Sequence, residues 1–520
     1  MRIQKQQCLS VVRYGSAVLA IAVVLGLMPE HVAGRTTHTV RAGEDLQAVI
    51  DRAQPGDEIR LQAGAVFAGS YVLRARGGNA AITIRTDTPD SRLPSAGQRI
   101  TPQHASLLPT LSQVNTGPVF RTEPGAQHWR LMGLKIQGTG TGDLITLGDS
   151  GSAQVSYAQV PEDLVLDRLL ILGDPARGQK RGIALNSAAT TIRNSYIADI
   201  KEVGQETQAI AGWNGPGPFL IENNYLEAAG ISILFGGTEP SIGGLVPSDI
   251  TVRRNTMAKP LSWRNEAWTV KNLFELKNAR RVQVEGNLLE NNWLEAQVGF
   301  AVLFTVRASG PRANWSTVED VRFENNLVRH VAGGINILGY DTNAQSQQAR
   351  NIVIRNNLFY DVNSQNWGGN GWFLQVGEEA ANILVEHNTI VQTGNLVTVY
   401  GGTRAAPRTI RGFRFRNNIG WHNQFGLFGN GVGVGLPAMA VYLPDGEFTG
   451  NVIAGGSSAS YPPGNSFLSA SEVMAQFVNP SGGNFRLRPD SMARRAAADG
   501  APAGADVDAI FRAMGGMGLR

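Results

Sequence analysis

The stretch Asn351-Ile-Val-Ile-Arg-Asn-Asn-Leu-Phe-Tyr-Asp361 sets the pattern, because versions of it recur along most of the 520-residue chain. Ile352 and Ile354 alternate with polar neighbours, the pair Asn356-Asn357 breaks the run, and Leu358-Phe359-Tyr360 resumes it. Related copies read Ile192-Arg193-Asn194-Ser195, Ile221-Glu222-Asn223-Asn224, Val284-Glu285-Gly286-Asn287, Phe323-Glu324-Asn325-Asn326 and Val385-Glu386-His387-Asn388. Between the last polar residues of successive copies, from Arg168 to Asn451, the steps are 27, 29, 31, 32, 39, 31, 31, 30 and 33 residues. A near-constant period of this size marks a solenoid, in which each unit buries its apolar face on the next.

The contents of one period select the solenoid. After Ile352 to Ile354 and Leu358 to Tyr360, a third apolar run from Trp372 to Val376 follows a Gly-rich loop. Three short alternating runs read as three strands, and helical spacing is absent. There is no leucine consensus, and the period is too short for a four-stranded blade. The pattern predicts an all-β fold, a single-stranded right-handed parallel β-helix. Corner asparagines Asn194, Asn224, Asn255, Asn287, Asn326, Asn357, Asn388, Asn418 and Asn451 are expected to bond coil to coil as a structural ladder.

Residues 1–34 carry Arg2, Lys5 and Arg13, an apolar run from Ala17 to Met28, and then Val32-Ala33-Gly34. This reads as a cleavable signal peptide, with a secreted or periplasmic protein as the expectation. No later stretch is long and apolar enough for a span, and the one cysteine, Cys8, precedes the apolar run, so the mature chain stabilises itself without disulfides. That mature chain has 43 Lys plus Arg against 41 Asp plus Glu. Near neutrality speaks against nucleic acid as a partner. Residues 35–85 read as an N-terminal cap and first coils, 86–128 as a proline-rich excursion, 129–455 as the β-helix, and 456–520 as a C-terminal closing segment whose role is a cap.

Leu46, Val49, Ile50 and Ala53 share one face of a short helix, Pro55-Gly56-Asp57 turns the chain, and Ile59 to Leu61 begins a strand. Helix, turn, strand and the following Ala63-Gly64 step resemble the entry segment of the pectate-lyase-like (pectin-lyase-fold) β-helix superfamily, and the Asn-Asn copies resemble its coils. The resemblance covers most of the mature chain. It implies a polysaccharide groove on the outer face of the strand that precedes the Gly-rich turn in each coil.

On that face the strands Leu273 to Lys277 and Val302 to Arg307 stand apart. Alternation turns Phe274 and Leu276 inward and leaves Glu275 and Lys277 outside, and likewise exposes Thr305 and Arg307. Consecutive coils would put Lys277 and Arg307 about 5 Å apart at their backbones. The longest steps, 32 and 39 residues, also fall here, and the added loops carry Trp263, Trp268, Trp293 and Trp315. Flat rings beside polar groups suit sugars. The expected site is catalytic Lys277, Arg307 and Glu275, with Trp263, Trp268, Trp315, Thr305, Tyr340 and Asp341 binding substrate.

Three chemistries are compatible with it. A polysaccharide lyase needs a base for the C5 proton of a uronic acid and a cation for its carboxylate, roles that suit Lys277 and Arg307. A glycoside hydrolase needs two carboxylates, for which Glu275 and Asp341 are the available pair. A non-catalytic β-helix that binds a cell-surface glycan needs neither, and Lys277 and Arg307 then pair with Glu275 and Glu319 as surface ions. Calcium-using members of the superfamily carry Asp clusters on the groove strands. Here Glu275 and Asp341 fall short of a six-to-eight-oxygen site, and the scattered His128, His330, His387 and His422 lack zinc spacing.

Overall fold

Phe235, Leu276, Phe304, Ile337, Val376 and Val399 stand one above another on successive strands, each at 0% exposure. Such a column is what the apolar half of each alternating run becomes when coils stack in register. In the computed structural model, which describes residues 35–403 and 405–515, columns of this kind fill the inside of a tube. The predicted signal peptide, with Cys8, lies outside the described residues.

Three long sheets form the walls. The first has 14 strands from Thr37–Val40 to Glu447–Thr449, the second 13 from Tyr71–Leu73 to Gly433–Val434, and the third 14 from Val66–Ala68 to Ser466–Leu468. Neighbouring strands pair in parallel throughout, except for Leu427–Gly429 with Gly433–Val434 at the end of the second sheet. The chain is a right-handed parallel β-helix. Leu46, Val49 and Ile50 of the helix Leu46–Arg52 join the core at one end, where Asp45 caps the helix by accepting from the Ala48 amide. At the other end Ala438, Met439 and Tyr442 of the helix Leu436–Tyr442 join the same core.

At the corner between first and third sheets, each amide side chain donates to the next. The Nδ2 of Asn224 lies 3.0 Å from Oδ1 of Asn255, and the relay continues through Asn287, Asn326, Asn357, Asn388, Asn418 and Asn451 to Asn465. Each receiving Oδ1 also accepts the main-chain amide of the preceding rung. From Asn224 to Asn451 these side chains are buried, so the relay satisfies groups that water cannot reach. Asn194 is a correction. The inner position of its coil belongs to Ser195, whose amide donates to Asn224 Oδ1 at 2.9 Å. Asn194 sits one residue earlier at φ 55°, in an outer row where it donates to Asp167 and accepts from Asn223.

Two segments leave the coil and cover the outside of the third sheet. Within the predicted excursion, Thr110–Ser112 and Phe120–Thr122 are ordinary rungs, so residues 87–109 alone depart. Their Leu93, Ile100 and Leu108 pack on Leu170, Leu172 and Tyr196. The closing segment first adds the rung Ser466–Leu468 and then runs back along the tube as a strap. Its Phe485, Val507, Ile510 and Met514 cover Leu288, Leu327, Leu358 and Ile419. The expected terminal cap is therefore a lateral cover, needed because those outward leucines would otherwise form an apolar stripe. Among the described residues no helix is long and apolar enough to cross a membrane.

Candidate functional site

The strand Asn272–Leu276 turns Phe274 and Leu276 into the core and Glu275 to the outside, and Lys277 follows at its end. On the next coil, Phe300–Thr305 does the same with Val302 and Phe304, and Arg307 lies two residues beyond. The Arg307 amide donates to the Lys277 carbonyl at 2.9 Å, which makes the two cations neighbours on consecutive coils. The register sets Glu275 beside Leu303, not beside Thr305, and Leu303 beside Asn336.

Above these strands lies a cavity of about 580 Å³ lined by Glu275, Lys277, Thr305, Arg307 and Asp341, together with Gln297, Val298, Phe300, Leu303 and Asn336. Close approach on the preceding coil shapes its edge. Gly236 has φ +92°, and a Cβ there would come within 2.6 Å of the Asn278 amide nitrogen, so the turn beneath Lys277 accepts no side chain.

Charges in the cavity are paired. Lys277 Nζ lies 3.4 Å from Glu275 Oε1 and 3.8 Å from Glu206 Oε1, while the other Glu206 oxygen meets Lys271. Burial works to raise the Glu206 carboxyl, but Lys277 and Lys271 outweigh it and hold the group below its ordinary range. Arg307 Nη1 lies 2.9 Å from Asp341 Oδ1 and 3.3 Å from the Thr342 hydroxyl. Burial likewise works to raise Asp341, but the amides of Asn343 and Ala308 and the Arg307 guanidinium bring it below the ordinary carboxylate range. The Arg307 side chain is 33% exposed against 16% for Lys277, so an incoming anion meets the arginine first.

The expected aromatic platform is elsewhere. Trp263 is 4% exposed in a cluster with Ala229, Val270, Trp293, Ala332 and Trp367, and the Lys201 ammonium lies 4.8 Å from the ring centres of both Trp263 and Trp268. The cage is filled by the protein's own cation. Trp315 points back to the barrel, its Nε1 donating to the Leu245 carbonyl at 3.0 Å. Neither these rings nor Tyr340 line the cavity. Arg307 pairs with Asp341, whereas Glu319 pairs with Arg350, which corrects the surface-ion pairing expected from sequence.

Glu206 was missed, since it reaches the site from a connecting segment without a periodic signature. Lys271 belongs to the lysine-rich stretch 259–277, which did carry a signal. Calcium takes six to eight oxygens. Glu206, Glu275 and Asp341 are each tied to a lysine or arginine, and among the described residues no group of three or more His, Cys, Asp or Glu could hold a metal. This donor set does not fit calcium.

No protein-family model and no curated protein matches this sequence. Among solved structures, the polysaccharide lyase family 6 alginate lyase AlyGC superposes with a TM-score of 0.55 at 14% identity, over 91% of this chain and 58% of that one. A mannuronic-acid-specific family 6 lyase from human gut microbiota gives 0.50 at 13%, over 85% and 93%. This chain thus spans little more than half the length of the first. At such identities the likeness is one of fold, and the chain has a right-handed parallel β-helix architecture.

Proposed function

We propose that this protein is an exported enzyme that cleaves an acidic polysaccharide by β-elimination, with the cavity over Glu275, Lys277 and Arg307 as its active site. The observation that carries the reading is the pair of cations on consecutive coils, Lys277 and Arg307, lining one open trough with two carboxylates. Two structures that share the fold are an alginate lyase and a mannuronic-acid-specific lyase, and this likeness supports a uronan as the substrate.

In this scheme Arg307, the more open cation, pairs with the uronate carboxylate and draws charge from C5, which makes the C5 proton more acidic. Lys277 as the free amine takes that proton. Glu275, 3.4 Å away, exchanges the proton that separates the amine from the resting ion pair. The electrons of the C5–H bond form the C4=C5 double bond as the C4–O bond breaks, and the departing oxygen takes a proton from the lysine ammonium. One unsaturated and one saturated chain end result.

A second reading, binding without cleavage, is favoured by the ion pairing of both cations at rest. One experiment separates the two. Pectate, alginate and glycosaminoglycan polymers are incubated with the protein while the ultraviolet absorbance of unsaturated ends is followed. The lyase reading requires a signal that Lys277→Ala and Arg307→Ala each abolish while the circular dichroism spectrum is kept. Absence of a signal with every polymer, together with a raised melting temperature for one, establishes the binding reading.

A further inference from the structure

Across the trough from its cations the cavity wall is apolar. Val298 and Phe300 stand at the start of the strand Phe300–Thr305, Leu303 in its middle, and Arg307 beyond its end. Strands cross the trough, so distance along this strand is distance across it, at about 3.3 Å per residue. Val298 is 56% exposed, a large apolar side chain left at the mouth of a polar site. Leu303 stands between Glu275 and Asn336 in an outward row that runs Leu234, Glu275, Leu303, Asn336, Gln375, Thr398 and Phe428.

In a pyranose uronate the carboxylate on C5 lies across the ring from C2, with C3 beside it. A ring whose carboxylate is held at Arg307 therefore turns its O2 and O3 edge towards Leu303 and Val298. Bare hydroxyls there would lose water and gain no partner from those side chains. Aromatic stacking on the ring face does not account for this wall, because the tryptophans are withdrawn into their own cluster, Phe300 is only 5% exposed, and Leu303 and Val298 are branched. What fits is a methyl group next to a carbonyl. Leu303 and Val298 cover the methyl, and Asn336, the register partner of Leu303, has an amide NH2 for the carbonyl, its Oδ1 being taken by Gln375 at 3.3 Å.

We propose that the Val298, Leu303 and Asn336 wall is an acyl subsite, and that the preferred substrate is a uronan carrying acetyl groups. The inference rests on the acidic-polysaccharide reading of the same cavity. Discrimination of about 10-fold is the scale that one small apolar group in a matched pocket supplies.

The test compares partially O-acetylated alginate and pectate with their alkali-deacetylated counterparts, and adds a uronan containing N-acetylhexosamine. Initial rates of unsaturated-end formation and retention in affinity electrophoresis are both read. Preference for an acetylated polymer by about 10-fold, falling to near unity in Leu303→Thr and Asn336→Ala, is the expected result. Because each ratio is taken within one protein sample, a variant that folds incompletely does not alter it. Preference for the N-acetyl polymer alone assigns the subsite to an amide-borne acyl group. Equal or better cleavage of deacetylated polymers overturns the acyl subsite and leaves the lyase standing. Tighter retention of acetylated polymer without cleavage keeps the subsite and removes the elimination. If no uronan is cleaved or retained, both fall.

Discussion

Asp341 holds Arg307 in place. Its Oδ1 meets the guanidinium at 2.9 Å, its Oδ2 accepts the Ala308 amide at 2.9 Å, and its side chain is 4% exposed. The carboxylate thus fixes both the arginine's backbone exit from the strand and its head group. Replacing it by alanine frees Arg307 and leaves the Ala308 and Asn343 amides without their acceptor.

For Asp341→Ala the expected outcome is a rise in KM of about 10-fold or more with a modest loss of stability, about 1–2 kcal/mol. Asp341→Asn keeps an oxygen for the amides and is expected to lie between. Kinetics on a cleaved uronan with parallel urea unfolding checks both. The pH dependence has a definite sign. A carboxylate held below its ordinary range contributes above its unfolded pKa and is lost only as pH falls through the lower folded value. Arg307 should therefore keep its partner throughout pH 5–8, and Asp341→Asn should shift no inflection of the rate profile in that window.

The asparagine relay gives a second expectation. Asn357 Nδ2 donates to Phe323 O at 2.8 Å, Arg355 O at 3.0 Å and Asn388 Oδ1 at 3.0 Å, and its Oδ1 accepts from Asn326. Alanine there strands buried donors and acceptors on three coils, at a cost of about 2–3 kcal/mol. Serine should cost less, since Ser195 already fills the equivalent place, bonding Arg193 O and the Leu169 amide. Urea unfolding of the three proteins ranks them, and an alanine variant as stable as the parent would contradict the argument.

The same corner shows what a sequence can and cannot convey here. Alternation and period reveal the coils because every inward position, such as Phe304 or Ile337, obeys one rule, burial. The Asn-Asn doublets hide a distinction, since one member takes the left-handed turn and the next enters the relay. Where the doublet is Asn194-Ser195, composition points to the wrong member. Lys277 and Arg307 were legible as adjacent because they ride on the coils. Trp263 and Trp268 were not, because their loop has no period and the nearby Lys201 draws both rings away from the trough. Glu206 depends on a loop path that periodicity does not encode. The direction of the C-terminal strap was equally hidden, as an amphipathic helix shows that it has an apolar face but not which surface receives it.

That strap yields a third prediction. Ile510 and Met514 are buried against the outward leucines of the third sheet, and three strap amides are tied to the coils: Gly504 to Asn417 O, Ala505 to the Thr389 hydroxyl and Asp506 to Asn356 Oδ1. A charge at Ile510 has no partner there, so Ile510→Asp should peel the strap while the coils persist. Trypsin cleavage at Arg494 or Arg495 should accelerate about tenfold or more, with the far-ultraviolet spectrum little changed. Simultaneous loss of the β signal would mean instead that strap and tube unfold as one unit.

Lys259 supports the last prediction. It is wholly buried, and its ammonium donates to the carbonyls of Ala228 and Asn272 at 2.9 Å each and of Gly230 at 3.3 Å. Burial pushes its pKa down to about 7. An unfolded lysine titrates near 10.4, so between these values the unfolded chain binds one more proton than the folded one, and stability rises with pH. Below about pH 7 both states are charged and the penalty for burying the ammonium is constant. Above it, the neutral amine keeps two N–H groups for the two 2.9 Å carbonyls and gives up Gly230. Lys259→Met removes the titration, so the stability of the parent minus that of the variant should be flat from pH 5.5 to 6.5. It should then climb by up to about 1.4 kcal/mol per pH unit towards pH 9. Paired urea titrations at pH 5.5, 7 and 9 measure that difference directly, and a flat difference across the whole range would mean that the three carbonyls keep the ammonium charged inside the coil.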